Sequence, residues 1–139
     1  MRLLVAGVLL LGVSLSGCDA GQITIHGFVI FAVHPAGTSS TTCRQLGSTA
    51  MLATRLVSGA NLTFTDQDGT IVGRAITRPA RAVTLRGSCE IQAPYSTHVP
   101  KKSAYSVSFD HGAIHRSFGP IAADELESTG YRLNLRIEP

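Results

Sequence analysis

Residues 22–33 place the strongest constraint on how the chain folds. Ile23, Ile25, Val29, Phe31 and Val33 fall on one face of an extended segment, and Thr24, His26, Phe28, Ile30 and Ala32 fall on the other. A period of two over such a length belongs to a β-strand, where successive side chains point to opposite sides. Both faces are apolar in the second half, which predicts a strand covered on both sides there. Gly27 marks a bulge or bend.

Shorter segments repeat the pattern. Residues 61–65 and 70–75 flank Asp66-Gln67-Asp68-Gly69, whose side-chain acceptors and glycine suit a tight turn, so they predict a hairpin. Further strands are expected at 82–85 and 89–93. Residues 103–109 alternate with Tyr105, Val107 and Phe109 on one face, and Asp110-His111-Gly112 turns the chain into 113–118. Residues 122–128 are acidic and predict one or two helical turns. Residues 131–137 close the chain, with Tyr131, Leu133, Leu135 and Ile137 opposite Arg132, Asn134 and Arg136. Between 34 and 58 the pattern breaks: Pro35, Gly37 and the Thr/Ser cluster at 38–42 are loop composition, and 44–58 is open between helix, strand and loop. About seven short strands, one short helical segment near 122–128 and no long helix predict an all-β antiparallel sandwich, immunoglobulin-like or transthyretin-like, over residues 22–139.

The N-terminus carries a different signal. Arg2 precedes an apolar run from Leu3 to Val13, followed by Ser14-Leu15-Ser16-Gly17-Cys18. One positive charge, a short apolar segment and small residues make a secretory signal, and the run is shorter than the ~20 residues of a membrane span. Leu15-Ser16-Gly17-Cys18 resembles the lipobox of bacterial lipoproteins. The resemblance implies a signal peptide over 1–17 that is cut before Cys18, a diacylglyceryl group on that thiol, and a tether over 18–21. The protein would then be lipid-anchored to the cell membrane, facing away from the cytoplasm. At about 0.8 kcal/mol per buried methylene, two acyl chains hold a domain firmly without a polybasic helper. The plainer alternatives are an ordinary cysteine beside an ordinary cleavage site, or an uncleaved anchor.

Lipidation also settles the cysteine count. Of three cysteines it leaves Cys43 and Cys89, an even pair in an oxidising compartment, and a disulfide is their natural use. A metal-binding pair would want CxxC spacing or a neighbouring histidine, and neither is present. Cleavage would leave 122 of the 139 residues, which suits one domain, and would remove Arg2 from a chain of net charge +3. So mild a charge does not call for nucleic acid. It suits a place near anionic head groups.

The order Cys43, strand, Thr65-Asp66-Gln67-Asp68-Gly69, strand, Cys89, then the segment from Tyr105 to Gly112 and Glu125-Leu126, resembles a family of small exported or lipid-anchored β-domains of unknown function in high-GC Gram-positive bacteria. The likeness covers residues 23–135 and rests on turn chemistry and strand alternation. This chain departs from it in a longer stretch between Cys43 and the hairpin, and in Glu90 where an aromatic residue often follows the second cysteine. The resemblance implies a disulfide-stapled sandwich and no activity.

Few residues suggest chemistry. His111 and His115 stand four apart, and with Asp110 they are the weak candidates for a metal site, although four residues of strand span about 13 Å. Asp66-Gln67-Asp68-Gly69 resembles the start of a calcium loop but lacks the closing glutamate. No Gly-x-Ser-x-Gly elbow follows Cys18, and Asp124, Glu125 and Glu127 read as a solvated helix face. Arg74, Arg78, Arg81 and Arg86 form a run free of acids from 69 to 88, a candidate grip on anionic lipid or wall polymer and otherwise a solvated sheet face. The expectation is a non-enzymatic binding or structural module with no cofactor. Its partners would be the membrane, through the lipid, and an envelope protein or anionic polymer, with no nucleic acid. The competing expectations are a small metal-dependent enzyme built around His111 and His115, and a carrier holding an apolar ligand between its sheets.

Overall fold

The computed structural model describes residues 21–33 and 42–138. The signal segment, Cys18 and most of the loop after Val33 lie outside the described residues.

The chain runs β1 (Gln22–Val33), α1 (Cys43–Leu46), α2 (Ser48–Val57), β2 (Asn61–Asp66), β3 (Ile71–Ile76), β4 (Arg81–Leu85), β5 (Ser88–Pro100), β6 (Ala104–His111), β7 (Ile114–Ala122), α3 (Ala123–Ser128) and β8 (Leu135–Ile137). The strands form two four-stranded sheets, ordered β4-β5-β1-β8 and β3-β2-β6-β7. Inward residues of both sheets, among them Ile25, Val29, Ile91 and Tyr95 facing Phe64, Tyr105, Val107 and Phe109, share one buried core, and the Phe64 and Tyr95 rings meet 6.1 Å apart. The all-β sandwich expected from the alternation is the architecture found. Among the described residues the buried core runs from Ile25 to Ile137.

β1 and β5 form the spine, paired in register from Gln22↔Pro100 to Val33↔Cys89. β5 is far longer than the 89–93 segment expected, because Pro94 does not end it. The Pro94 carbonyl accepts the Arg78 amide at 2.9 Å, on the side away from β1. Its hydrogen-free nitrogen lies on that same side, past the end of β4 at Arg81↔Gln92, so the proline removes no ladder hydrogen bond.

All the extended pairings are antiparallel except β1 with β8, which is parallel. The strand expected at 131–137 is regular only over Leu135–Ile137. Ahead of it, Tyr131 takes a φ of 62° as the chain leaves α3, and its amide donates to the Leu126 carbonyl. The chain then bonds both backbone groups of His26, and Leu133 lays its carbonyl over Gly27. A β-carbon at Gly27 would stand 1.9 Å from that oxygen. The Phe28 amide is taken by the Asn134 side chain at 3.1 Å instead of by backbone, and regular pairing resumes one residue later.

Residues 44–58, left open by the sequence, are mostly helical. Thr42 and Gln45 make a reciprocal capping box at the start of α1. α2 buries Ala50, Ala53 and Val57 and exposes Met51, Leu52 and Leu56. The Cys43–Cys89 disulfide forms as expected and joins α1 to the buried side of β5. α3 matches the short helix expected near 122–128.

The Asp66 hairpin also forms as the sequence suggested. Asp66 Oδ1 accepts the amides of Asp68 and Thr70, both at 3.0 Å, Lys102 Nζ stands 3.4 Å from Oδ2, and Gly69 takes the positive φ of 78°. Burial pushes the Asp66 carboxyl pKa up, but the Thr70 and Asp68 amides and the Lys102 ammonium outweigh it, and the pKa lies below its ordinary 3.8. A depressed native pKa means that the unfolded chain takes up the proton first. The stabilisation is therefore complete above 3.8 and is lost as pH falls below that value. Unfolding titrations are expected to show a steeper acid loss for the native chain than for Asp66→Asn, and parallel curves would contradict this.

Candidate functional site

The outer face of the β1 sheet is built from alternate positions on four neighbouring segments. Phe28, Ile30 and Ala32 of β1 pair with Pro94, Gln92 and Glu90 of β5, and Gln92 and Glu90 pair outward with Arg81 and Val83 of β4. On the other side Arg136 pairs with Ile30, and Arg132 bridges to His26. Ile30 and Ala32 are buried although they point away from the core, which accounts for the apolar second face seen in the sequence.

Three adjoining depressions run over this face. The largest is a groove of about 700 Å³ lined by Phe28, Arg78, Pro79, Ala80, Arg81, Val83, Gln92 and Pro94. A second adds His26, Ser96 and Arg132, and a third adds Ala32, Leu85, Arg86, Ser88, Glu90 and Arg136. Five arginines and one glutamate thus line the three depressions. Glu90 pairs with Arg136 at 2.9 Å. The guanidiniums of Arg78, Arg81, Arg86 and Arg132 meet no carboxylate among the described residues.

The segment carrying Arg78 and Arg81 is fixed from beneath. The buried Thr77 hydroxyl donates to the Val57 carbonyl at 2.5 Å and accepts the Ala60 amide at 2.8 Å. The Ala80 amide donates to Ser58 Oγ at 2.9 Å, and the Arg78 amide is held by Pro94. Arg86 and Gly87 form the two-residue loop between β4 and β5, with φ of 49° and 76°. Positive φ at both central positions is the hairpin turn whose twist matches paired strands. Arg86 therefore sits at the tip of a defined turn.

The structure sorts the sequence candidates. Arg78, Arg81 and Arg86 share the face, whereas Arg74 pairs with Thr63 on the other sheet. Sequence reasoning missed Arg132 and Arg136, although their alternation with Asn134 had marked a polar strand face. Asp110 and His115 are cross-strand partners, with Asp110 Oδ1 and His115 Nδ1 2.5 Å apart. His111, next along the strand, turns to the opposite side and bonds the Arg55 carbonyl at 3.0 Å. The three weak metal candidates do not converge, and among the described residues no three His, Cys, Asp or Glu side chains form a cluster able to hold a metal. No helix among the described residues is long and apolar enough to cross a membrane.

Comparison with known proteins adds no relative. No family model matches the chain, and no curated protein or solved structure matches it either. The chemistry of the face itself is what remains to indicate function: forked cations around apolar carbon suit a ligand with exposed phosphate or carboxylate groups.

Proposed function

We propose that this protein is a lipid-anchored module outside the cytoplasm that binds an anionic partner at the cell envelope without catalysing a reaction. The observation that carries the reading is the concentration, on one face of a disulfide-stapled sandwich, of arginines that meet no carboxylate among the described residues. The anchor half rests on the apolar leader and the Leu15-Ser16-Gly17-Cys18 lipobox, and on their agreement with the thiol count. Lipid on Cys18 leaves Cys43 and Cys89 for each other. The resemblance to exported β-domains points the same way.

β1 begins four residues after Cys18, so acyl chains on that cysteine would hold the sandwich against the bilayer surface. Confinement of this kind raises the effective concentration of any partner in the same layer, and a weak binding face becomes useful there. Radiolabelled fatty acid supplied to bacteria making the full chain is expected to enter the native protein and not Cys18→Ala. Equal labelling of both, or labelling of neither, would contradict the anchor.

A further inference from the structure

The two outer faces of the sandwich differ most in charge. On the β2 sheet the outward positions mix the hydroxyls of Thr63, Thr65, Ser106, Ser108 and Ser117 with Arg74, Asp110 and the exposed Ile71 and Ile76. On the β1 sheet the centre of the outer face is apolar, through Phe28, Val83 and Pro94, and Arg78, Arg81 and Arg132 stand around it. Phe28 is 37% exposed, and Leu85 beside the Arg86 turn is 45% exposed.

A soluble polyanion would use the guanidiniums and leave this apolar centre in water. A membrane interface uses both: ring and aliphatic carbon enters the boundary between headgroups and acyl chains, while arginines reach the phosphates above it. We infer that the outer face of the β1 sheet lies flat on an anionic phospholipid surface, with headgroup phosphates as its ligands and the β2 sheet facing outward. The inference deepens the reading of an envelope-binding module. The four residues from Cys18 to Gln22 reach about 13 Å when extended, enough for a tethered domain to lie on its side.

The test uses the domain from Asp19 onward, which carries every core residue among the described ones and lacks the lipidated cysteine, with its fold checked by circular dichroism. It is expected to co-sediment with vesicles of phosphatidylcholine and phosphatidylglycerol at roughly 7:3 and to bind pure phosphatidylcholine at least tenfold more weakly, each arginine contributing about fivefold. Binding should fade in about 0.5 M salt, where the screening length shrinks to about 4 Å. The double variant Arg78→Glu/Arg132→Glu is expected to lose at least about tenfold, against about twofold or less for Arg74→Glu/Arg116→Glu, which changes the charge equally on the other sheet. Equal binding to the two vesicle types, equal loss in the two double variants, or binding to soluble poly(glycerol phosphate) without binding to vesicles would each overturn the inference. Because no acyl chain is present, a failure of the Cys18 anchor leaves this result standing, and the reverse also holds.

Discussion

Reducing the Cys43–Cys89 bridge is expected to lower the stability of the domain by about 4 kcal/mol, on the chain-entropy account of a crosslink closing a 46-residue loop. The size follows from what the bridge spans. It ties α1, which buries no residue of its own, to Cys89 in the middle of the core. Between these points lie α2, β2, β3 and β4, so the open chain gains the freedom of all four elements. A small domain with a total stability of about 5 to 15 kcal/mol loses a large share of it this way. Guanidinium unfolding with and without reductant measures the effect as a shift in midpoint. An unchanged midpoint, with the thiols shown to be free, would contradict it.

The second large effect is expected from one methyl group. Gly27→Ala places a β-carbon 1.9 Å from the Leu133 carbonyl oxygen, which also accepts the Tyr95 hydroxyl at 2.7 Å. The obstacle is backbone held on both sides, since the Leu133 amide donates to the His26 carbonyl. It can yield only by moving the crossing that leads into β8, and the expected cost is about 3 kcal/mol, at the upper end for overpacking. Gly21→Ala meets nothing within 4 Å and is expected to stay within about 0.5 kcal/mol of the native chain. Denaturant curves for the two variants make the comparison, and similar midpoints would contradict the close approach at Gly27.

Tyr95 carries a related consequence. Burial of its ring and hydroxyl pushes its pKa well above the ordinary 10.0. The folded chain therefore keeps the phenol neutral where the unfolded chain ionises, and this contribution is complete below 10.0 and declines as pH rises past it.

What could be read in the sequence was local pattern. The alternation at 22–33 and the Asp66 turn depend on neighbours a few residues apart, and both appear as expected. The disulfide followed from parity, a global count that needs no coordinates. The limits of β5 could not be read that way. A proline ends a strand only if its missing donor faces a partner, and that depends on where β4 stops. The break before β8 has the same character, because it arises from a glycine on a distant strand and from Asn134 replacing a backbone acceptor. α2 escaped because its apolar residues lie on both sides, with Ala50, Ala53 and Val57 inside and Met51, Leu52 and Leu56 outside.

The candidate site shows the same division. Three of its arginines lie close together in sequence and stood out as an acid-free run. Arg74 belonged to that run yet sits on the other sheet, because the chain crosses between sheets at 77–80. Arg132 and Arg136 join the face only because β8 pairs with β1, a parallel contact with no local signature. Periodicity can say that a strand has a polar face, but only topology says which other strands share it.

The central claim, a sandwich tethered through Cys18 and stapled by its remaining thiols, is tested most directly by the intact mass of the protein purified from bacterial membranes without reductant. The account predicts a chain beginning at Cys18 with a diacylglyceryl group on its sulfur and one internal disulfide. A mature chain starting elsewhere, an unmodified Cys18, or a bridge joining Cys18 to Cys43 or Cys89 would contradict it.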